Sequence, residues 1–589
     1  MRREKRWREK VIEPSVQNNL CKGLGIRPIT AQILIKRGII EIDDARSFLN
    51  ISSSGLINPF SLEDMDKAVL RIEKAIDNNE KILIYGDYDV DGVTATSLYL
   101  SFFRDIGKDA AYYIPNRIDE GYGINREAIL KIKEMGISLI ITADCGTTSI
   151  EEVDLAQSLG IDIIITDHHE SKAELPRGIA VLNPNRKDSL YPFKGLCGVG
   201  MALKLVHALL INRVEECRSV GVGKLTPQLL NSSTPQLRSY LDLVALGTIA
   251  DVAPIRGENR YLVKEGLHFI TKGERIGIRA LKDISGMDGS EVGIGGVGFT
   301  LAPRINAGGR LSSANEGVEL FMCRSYDRAI EIARRLDTKN RERQRIEERI
   351  LQEAEEMIKR EEKKKYRVII MASPSWHPGV VGIVASRIAE KYYCPTILIA
   401  LREDGIGRGS GRSISGFNLY EGINRCSKYL EGFGGHKFAV GITIRSENIA
   451  PFRAEMEKVI DSSLSDEDFI PEIYIDASVD LKEIDFQVMS EIDKLSPFGV
   501  GNPEPTLLTR GVEAFYPKIV GNNHLKMKLR DEKRFTFDAI GFKMGDMLNQ
   551  LDLNMGMGRV DVVFSPKIDV WQGKKKIQFR LKDIRKSKK

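Results

Sequence analysis

The sequence predicts an α/β protein of several domains that ends in a small β-barrel. Residues 56–255 alternate strand-like and helix-like apolar runs, which is the pattern of a mostly parallel sheet. A second α/β unit covers residues 366–465, and a long charged helix leads into it. Residues 466–589 carry short alternating runs separated by turns, which favours an antiparallel barrel of the OB type. The chain has 589 residues, whereas one hydrophobic core seldom organises more than about 300, so several domains are expected.

Composition indicates a globular protein and excludes several classes. Hydrophobic residues make up 42% of the chain, and the formal net charge of +5 permits a polyanionic partner without requiring one. The seven cysteines include no CxxC pair, which argues against a disulfide framework and a thiolate zinc site. No apolar run is long enough to span a membrane, and the basic start lacks the apolar segment of a signal peptide. We therefore expect a cytoplasmic protein with no membrane contact.

The first 55 residues are predicted to form a small helical preface. Ile29–Gly38 and Ile42–Leu49 are short amphipathic segments, and Asn58-Pro59 marks a turn after them. No chemistry is assigned to this part of the chain.

Three aspartates follow the first strand of the α/β unit. Ile82–Ile84 predicts a buried strand, Asp87, Asp89 and Asp91 come just after it, and Val93–Phe103 has the spacing of a packed helix. Residues at this end of a parallel strand face the crevice where α/β proteins bind ligands. Crowded carboxylates repel one another unless a cation neutralises them. The motif alone is compatible with either a metal site or a solvated, Asp-rich turn.

Three later apolar runs also lead into acids, and each is predicted as a strand. They are Ser138–Thr142 before Asp144, Ile161–Ile165 before Asp167-His168-His169, and Leu241–Ile249 before Asp251. The carboxyl ends of parallel strands share one edge of a sheet, so these side chains can converge although they are distant in sequence. Carboxylates with an imidazole suit Mg²⁺ or Mn²⁺. Four such runs together predict a divalent metal site.

Basic, glycine-containing segments are predicted as phosphate-binding loops. They are Tyr113–Gly123 with Arg117, Pro303–Arg310 with Arg304, Asn306 and Arg310, Gly407–Ser413 with Arg408 and Arg412, and Gly432–Gly441 with His436 and Lys437. Glycine lets a backbone approach a ligand closely, and arginine matches phosphate geometry. A surface ion pair is the alternative for Arg117. For the glycine-rich Gly195–Met201, tight packing is favoured over phosphate binding.

The long helix and the barrel each have two possible roles. Asp327–Lys365 has apolar residues at helical spacing and charges of both signs, which favours a solvated connecting helix over a nucleic-acid-binding arm. The barrel combines aromatic residues with cations: Phe535, Phe537, Trp571, Lys574, Lys575, Lys576, Arg580 and Lys582. This mixture favours single-strand nucleic-acid binding, and core aromatics with a solvated basic face are the alternative.

The motifs, in this order, resemble those of the DHH phosphoesterase superfamily. They are Asp87-Tyr-Asp-Val-Asp-Gly, Asp144-Cys-Gly, Asp167-His-His and Ala250-Asp-Val-Ala-Pro. Pro303–Arg310, Gly434-Gly-His and the barrel narrow the resemblance to the bacterial RecJ family, over almost the whole chain. It implies a DHH domain (56–255), a connecting segment with the long helix (256–365), a DHH-associated α/β domain (366–465) and an OB-like domain (466–589).

The resemblance also implies a function. Members of this family are single-stranded-DNA-specific 5′→3′ exonucleases of recombination and repair, which use two Mn²⁺ or Mg²⁺ ions and a metal-activated water to release 5′-mononucleotides. The implied metal ligands are Asp87, Asp89, Asp91, Asp144, His168 and Asp251. Single-stranded DNA is the implied partner, with a RecQ-type helicase and a single-strand-binding protein as further ones.

The resemblance assigns the remaining site residues to the substrate. His169 would bind or orient the scissile phosphate beside the catalytic Asp144 and His168, and Arg117 would bind the terminal 5′-phosphate. The DNA backbone would be held by Arg304, Asn306, Arg310, Arg408, Ser410 and His436. Tyr85 departs from the pattern, because many relatives have a histidine there.

Two other functions are compatible with the same motifs. One is a small-substrate phosphoesterase acting on oligoribonucleotides or cyclic dinucleotides, against which the basic barrel argues. The other is a catalytically silent DNA-binding scaffold, against which the intact acids and histidines argue, because a pure binder needs no cation site.

Overall fold

The two ends of the chain fold together. Met1–Ser52 and Ile470–Lys589 form one unit, and Ser53–Phe469 form the other. The structure is a computed structural model that describes residues 5–117, 119–171, 174–219, 235–360, 367–551, 557–571 and 573–587. In the described part of the chain, no helix combines the length and apolar character needed to cross a bilayer.

The N-terminal segment packs on the C-terminal barrel. Its elements are β1 (Arg6–Glu9), α1 (Pro14–Leu24), α2 (Pro28–Lys36) and α3 (Ile42–Leu49), so both predicted helices are present. β1 pairs in parallel with Glu472–Ile475, and Leu20 and Leu34 share a core with residues of the barrel. The Thr30 hydroxyl donates to the Glu491 carboxylate at 2.5 Å, where both are buried. The preface is therefore part of the barrel's own core.

A five-stranded parallel sheet organises the first α/β domain. The elements are α4 (Met65–Asp77), β2 (Ile82–Gly86), α5 (Val90–Asp105), β3 (Ala111–Tyr113), α6 (Arg126–Glu134), β4 (Leu139–Ala143), α7 (Ile150–Ser158), β5 (Asp162–Thr166) and β6 (Ala180–Leu182). The strand order is β3-β2-β4-β5-β6. Three of the four predicted strands, β2, β4 and β5, are confirmed, and their carboxyl ends lie on one edge.

A group of helices follows the sheet, and it includes two segments that were predicted as a strand and a loop. They are α8 (Gly198–Ser219), α9 (Pro235–Arg238), α10 (Leu241–Ala250), α11 (Gly257–Lys272), α12 (Ile276–Ile284), α13 (Ile294–Gly296), α14 (Ala302–Leu311) and α15 (Asn315–Met322). The strand predicted over Leu241–Ile249 is wrong. This run is buried on every side, and periodicity cannot distinguish such a helix from a buried strand.

The loop predicted over Pro303–Arg310 is also wrong, because these residues lie within α14. Pro303 is in the first turn, where its missing N–H is tolerated. Gly309 is required by a close approach: a Cβ there would lie 2.3 Å from the backbone oxygen of Tyr88.

The second α/β domain is built on a mixed sheet behind a long helix. Its elements are α16 (Tyr326–Arg360), β7 (Ile369–Ser373), α17 (Val381–Tyr392), β8 (Thr396–Leu401), β9 (Ile406–Arg412), α18 (Leu419–Arg425), β10 (Leu430–His436), β11 (Ala439–Arg445) and α19 (Ile449–Ser463). The order is β10-β11-β9-β8-β7, in which only β7 and β8 are parallel. The connecting helix is confirmed: its N-terminal half is buried in the core of the first α/β domain and its C-terminal half in the core of this one.

Two predicted glycine loops are strands, β9 and the hairpin β10–β11. In β9, the glycines alternate with polar residues and face the packed layer. A Cβ at Gly407 or Gly409 would lie 2.5–2.7 Å from Ile399 or Ile442. The period of two therefore places Arg408, Ser410 and Arg412 together on the other face.

The barrel is closed, as predicted. Its elements are β12 (Glu472–Ile475), β13 (Ala477–Ser478), α20 (Phe486–Lys494), β14 (Leu507–Val520), β15 (His524–Arg530), β16 (Thr536–Gly541), α21 (Met547–Gln550), β17 (Met557–Trp571) and β18 (Lys574–Lys586). Strands run in the order β13-β14-β15-β16-β18-β17, and pairing of β14 with β17 closes the sheet. The β13–β14 and β16–β18 pairs are parallel, so the barrel is not antiparallel throughout as the sequence favoured.

The aromatic and basic residues of the barrel divide between core and surface. Phe537 stacks on Phe579 with ring centroids 4.6 Å apart in the core. For this ring, the alternative of a core aromatic is therefore correct. Phe535 is exposed, as are Lys574, Lys575, Lys576 and Arg580, whereas Lys582 donates to the Thr506 hydroxyl. The Trp571 side chain lies outside the described residues.

Candidate functional site

The three aspartates after β2 differ in what they contact. Asp89 caps α5, because its Oδ1 accepts hydrogen bonds from the backbone N–H groups of Asp91 and Gly92 at 2.8 and 3.1 Å. The buried carboxylate of Asp91 accepts from the N–H groups of Gly198 and Val199 at 2.6 and 2.9 Å, at the start of α8. Asp87 is also buried, and its Oδ1 has no hydrogen-bond partner among the described residues.

Asp144 occupies a strained position directly after β4. Its φ of +69° is left-handed, which is uncommon for a residue with a side chain. The Oδ1 atom lies 3.1 Å from Nε2 of His168, but without hydrogen-bond alignment, so both buried atoms are unpaired among the described residues. A Cβ at Gly198 would lie 2.4 Å from that of Asp144. The tight packing favoured for the Gly195–Met201 segment is therefore confirmed at Gly198.

Asp167 orients the paired histidines instead of facing the acidic centre. Its Oδ1 accepts from the backbone N–H of His168 at 2.7 Å and from Nδ1 of His169 at 2.8 Å. Burial lowers the pKa of His169, but Asp167 outweighs it and raises the pKa to about 9. Burial and the neighbouring His169 lower the pKa of His168 to about 4. These pKa values favour a cationic His169 and a neutral His168 at neutral pH, and a neutral His168 can offer Nε2 to a metal.

The acids of the centre hold protons unusually strongly. Burial, together with the neighbouring carboxylates, raises the pKa of Asp91 to about 7 and that of Asp251 to about 9. The same causes raise the pKa of Asp87 and Asp144 well above the usual range. When these carboxyl groups ionise, they repel one another, and a bound cation would offset this repulsion.

The six predicted metal ligands are brought together. Three groups have potential ligand atoms within 4.8 Å of one another: Asp144, His168 and His169; Asp91, His168 and Asp251; Asp87, Asp89 and Asp144. Without the cationic His169, the groups Asp91–His168–Asp251 and Asp87–Asp89–Asp144 remain, and Nε2 of His168 in one lies 3.1 Å from Oδ1 of Asp144 in the other, which fits two adjacent cations. The unpaired buried atoms of Asp87, Asp144 and His168 support the same fit. Asp251 contributes although its run is a helix, because it follows the end of α10.

Tyr85, where the resemblance led us to expect a histidine in many relatives, does not belong to this centre. Its ring is buried in a separate apolar cluster and stacks on Tyr113 at 5.4 Å. Its hydroxyl donates to the backbone oxygen of Gly123 at 3.1 Å. The residue supports the loop that carries Tyr122, a site residue that the sequence reading missed. The Tyr122 hydroxyl donates to the Asp144 backbone oxygen at 3.1 Å and lies 3.0 Å from Nδ1 of His169.

Three arginines meet beside the acidic centre. The Arg117 guanidinium lies 4.9 Å from the ring of Tyr88, the residue between Asp87 and Asp89. Burial and the charges of Arg117 and Arg343 lower the pKa of Arg310 to about 10, and burial with Arg117 lowers that of Arg412. In the described part of the chain, Arg117, Arg310 and Arg412 form no ion pair with an acid. Half-buried arginines without an ion-pair partner among the described residues suit an anion.

The second domain completes this pocket. Arg310 donates to the backbone oxygen of Gly379 at 3.1 Å, and Arg412 donates to the Ser410 hydroxyl at 3.0 Å. A Cβ at Gly382 would lie 2.8 Å from Oγ of Ser410, so the N-terminal turn of α17 abuts these side chains. Backbone N–H groups at a helix N-terminus favour phosphate.

The other predicted DNA contacts are placed differently. The Arg304 guanidinium is engaged inside the domain, with Asp337 at 3.0 Å and the Thr300 backbone oxygen at 2.6 Å. Asn306 is half-buried in α14, and Arg408 lies on the same face of β9 as Ser410. His436 ends β10, and its ring is stacked on that of His169 with centroids 6.3 Å apart. The hairpin of the second domain thus reaches the acidic centre.

Comparisons with known proteins cover each domain. The chain matches family models described as the DHH family N-terminal domain over residues 81–248, the DHHA1 domain over 365–462 and the RecJ OB domain over 475–583.

Similar curated proteins carry the name single-stranded-DNA-specific exonuclease RecJ. The Bacillus subtilis protein is 38% identical over 98% of this chain and 70% of its own length. The Dickeya dadantii protein is 33% identical over 94% of this chain and 95% of its own length. Among solved structures, Thermus thermophilus RecJ in complex with Mn²⁺ aligns with a TM-score of 0.81 at 28% identity, over 99% of this chain and 80% of that one.

Proposed function

Because this chain belongs to the RecJ family, we propose that it is a single-stranded-DNA-specific exonuclease that releases 5′-mononucleotides. The observation that carries the proposal is the position, beside the acidic centre, of three arginines that form no direct ion pair among the described residues. The charge of Arg117 acts on Asp87, and that of Arg310 interacts with Asp89. One phosphate can therefore occupy the arginine pocket while another lies at the acidic centre.

This arrangement favours removal of a terminal nucleotide. A terminal phosphate monoester can carry two negative charges and an internal diester only one, so the pocket of Arg117, Arg310 and Arg412 prefers a chain end. Cleavage at the neighbouring centre then releases a mononucleotide. The 5′→3′ direction rests on the resemblance to the family.

The chemistry proposed for the centre follows from its donor set. Asp87, Asp89, Asp91, Asp144, His168 and Asp251 would hold two divalent cations, Mn²⁺ or Mg²⁺. When bound, such a pair lowers the pKa of water and offsets charge that develops on the phosphate. His168 remains neutral at pH 7 and can offer its Nε2 lone pair. His169 remains cationic and is oriented by Asp167 to bind the scissile phosphate.

The second domain would hold the strand against this centre. Arg408, Ser410 and Arg412 form a polar row on one face of β9, and His436 stands beside His169. We assign these residues, with Asn306, to the DNA backbone. Arg304 would act indirectly, by tying α14 to Asp337 of the long helix.

Single-stranded DNA is the proposed partner of the barrel as well, through exposed Phe535 and Lys574–Lys576. A RecQ-type helicase and a single-strand-binding protein are proposed as further partners, since an enzyme that needs unpaired strands depends on proteins that expose them. A cytoplasmic location is proposed because the six described cysteines carry free thiols.

A single digestion experiment tests the function. A 3′-labelled single strand with a 5′-phosphate is incubated with the protein and Mn²⁺, next to a copy whose 5′ end is blocked and a duplex. We expect mononucleotides from the first strand only, and none when EDTA replaces Mn²⁺. Asp144→Asn should abolish cleavage while DNA binding, measured by fluorescence anisotropy, persists. Asp154→Asn, an exposed aspartate on α7, is the matched control. Consumption of dinucleotides with inert long strands would instead favour a small-substrate phosphoesterase.

A further inference from the structure

A turn after β6 brings two asparagines to the paired histidines of the acidic centre. Asn183 directly follows β6 and is only 1% exposed, and Asn185 lies two residues further on. Arg186 anchors the turn, because its guanidinium donates to the backbone oxygen of Val181 at 2.8 Å and to the Asp64 carboxylate at 2.6 Å. The turn is therefore fixed to the domain by contacts that do not involve the histidines.

Each asparagine holds the backbone oxygen of one histidine. Nδ2 of Asn185 donates to the oxygen of His168 at 2.5 Å. Nδ2 of Asn183 donates to the oxygen of His169 at 2.9 Å. No described backbone N–H donates to either oxygen, so the asparagine amides supply the bonds that these carbonyls need.

Asn183 reaches His169 by a second route. Its Nδ2 also donates to the Thr147 hydroxyl at 2.9 Å, and the backbone N–H of Thr147 donates to Oδ2 of Asp167 at 2.9 Å. Oδ1 of the same carboxylate lies 2.8 Å from Nδ1 of His169. The hydrogen bonds thus form a closed ring that fixes both the backbone and the imidazole of His169.

We infer that Asn183 and Asn185 are positioning residues with separate tasks. Asn183 sets the imidazole of His169 against the scissile phosphate. Asn185 sets Nε2 of His168 towards the cations. The inference rests on the proposed function, which gives the two histidines these different roles. Removing a group that orients a metal ligand or a catalytic side chain typically costs about 10- to 100-fold in metal affinity or activity.

The first arm of the test measures Mn²⁺ binding by calorimetry and needs no turnover. The wild-type protein is compared with Asn183→Ala, Asn185→Ala and Asn78→Ala, a control at an exposed asparagine of the same domain. We expect about tenfold weaker binding in Asn185→Ala and unchanged binding in the other two variants. Equal losses in Asn183→Ala and Asn185→Ala would overturn the inference, because a turn that only supports the fold does not separate the two histidines.

The second arm measures release of the first nucleotide from a 5′-phosphorylated single strand. At saturating Mn²⁺, Asn183→Ala should lower kcat about tenfold or more and leave KM unchanged, because His169 is displaced. Asn185→Ala should regain its rate as the Mn²⁺ concentration is raised. An Asn183→Ala protein with wild-type kcat, or an Asn185→Ala protein that stays slow at saturating Mn²⁺, would overturn the inference.

A double-mutant cycle shows whether Asn183 acts through His169. Rates are measured in single turnovers with the protein in excess. In a His169→Ala background, adding Asn183→Ala should change the rate no further, whereas a second loss of the same size would overturn the inference. If Asn183→Ala does not fold, Thr147→Val replaces it, since valine keeps the backbone N–H and removes the hydroxyl that accepts from Asn183. This variant should also lower kcat at unchanged Mn²⁺ affinity, and wild-type kcat would again overturn the inference.

Failure of the inference and of the proposed function give different results. Absence of release from the single strand by the wild-type protein contradicts the function, and the calorimetric comparison still decides whether the two asparagines differ. Normal release by the wild-type protein, with the same behaviour in Asn183→Ala and Asn185→Ala, contradicts only the separate tasks of the asparagines.

Discussion

The imidazole rings of His169 and His436 lie nearly parallel, with centroids 6.3 Å apart and planes inclined by 14°. The first ring belongs to the acidic centre and the second to the hairpin of the other α/β domain. A phosphate bound to His169, as proposed above, would therefore lie near a second imidazole.

His436 is expected to contribute to turnover and not to the metal site. Replacing His436 by Ala should lower kcat by about a hundredfold, because it removes a donor beside the scissile phosphate. The affinity for Mn²⁺, measured by calorimetry, should not change. Lys437→Ala, the neighbouring cation in the same turn, is the control. Equal losses in both variants would mean that the hairpin acts only through its overall charge.

Gly198 is expected to be irreplaceable even by alanine. An added Cβ would lie 2.4 Å from the Cβ of Asp144, so Gly198→Ala must displace this carboxylate. A shift of about 1 Å at a catalytic group can cost about a hundredfold in rate. Gly200→Ala lies in the same helix but meets only the flexible Leu196 side chain, at 3.2 Å, and should retain activity. A fully active Gly198→Ala would show that Asp144 does not need its observed position.

Divalent-cation binding is expected to strengthen with rising pH and to release protons. The pKa of Asp91 is raised to about 7 and that of Asp251 to about 9, so both carry protons that a cation must displace. Their folded-state pKa values exceed those of the unfolded chain. The metal-free protein therefore loses stability as pH rises from about 4 towards these values. The increase in melting temperature on adding Mg²⁺ should grow between about pH 6 and pH 8.

Thermal denaturation with EDTA or Mg²⁺ across this range checks the prediction. Asp251→Asn should melt at a higher temperature than the wild-type protein in EDTA at pH 8, because it removes a carboxyl group that is ionised in the unfolded chain and must take up a proton in the folded one. A Mg²⁺ effect that is independent of pH would show that the acids are already ionised in the metal-free state.

Arg412 is expected to distinguish strands by their 5′ ends. Arg412→Gln should raise KM for a 5′-phosphorylated strand by about tenfold or more, since a hydrogen bond to a charged group is lost. The KM for a strand with a 5′-hydroxyl should change much less. Arg402→Gln alters an exposed arginine that pairs with Asp404, and it should have little effect on either strand. Equal increases for both strands would place Arg412 on the DNA backbone instead.

The sequence was most informative where local patterns and topology agree. The acids after β2, β4 and β5 could be placed together because parallel strands end at one edge. Asp251 was placed at the same edge because its run was predicted as a fourth parallel strand, and that reason is wrong since the run is helix α10. The individual ligands were implied by the resemblance to the family and not by spacing alone.

Other features depend on contacts that spacing does not encode. The Gly-Arg-Gly-Ser-Gly-Arg segment was read as a loop, although its period of two is that of strand β9, whose glycines pack under Ile399 and Ile442. Tyr122 was missed because nothing local shows that its hydroxyl reaches Asp144 and His169. The two glycines that flank it are the only sequence signal for a fixed ring. The internal pairing of Arg304 with Asp337 likewise depends on the packing of α14 against α16.

The shared core of the two chain ends affects the order in which the protein can fold during synthesis. Apolar residues of α1 and α2, such as Leu20 and Leu34, are covered by partners that the ribosome adds more than 400 residues later. Until residues 470–589 emerge, these helices have no complete core to join, while the α/β domains between them can already form. The N-terminal segment is thus made early and buried late, and it is a candidate for chaperone contact in the interval. A truncation that removes the barrel would leave the same apolar faces exposed permanently, so a folded catalytic fragment should begin near residue 53.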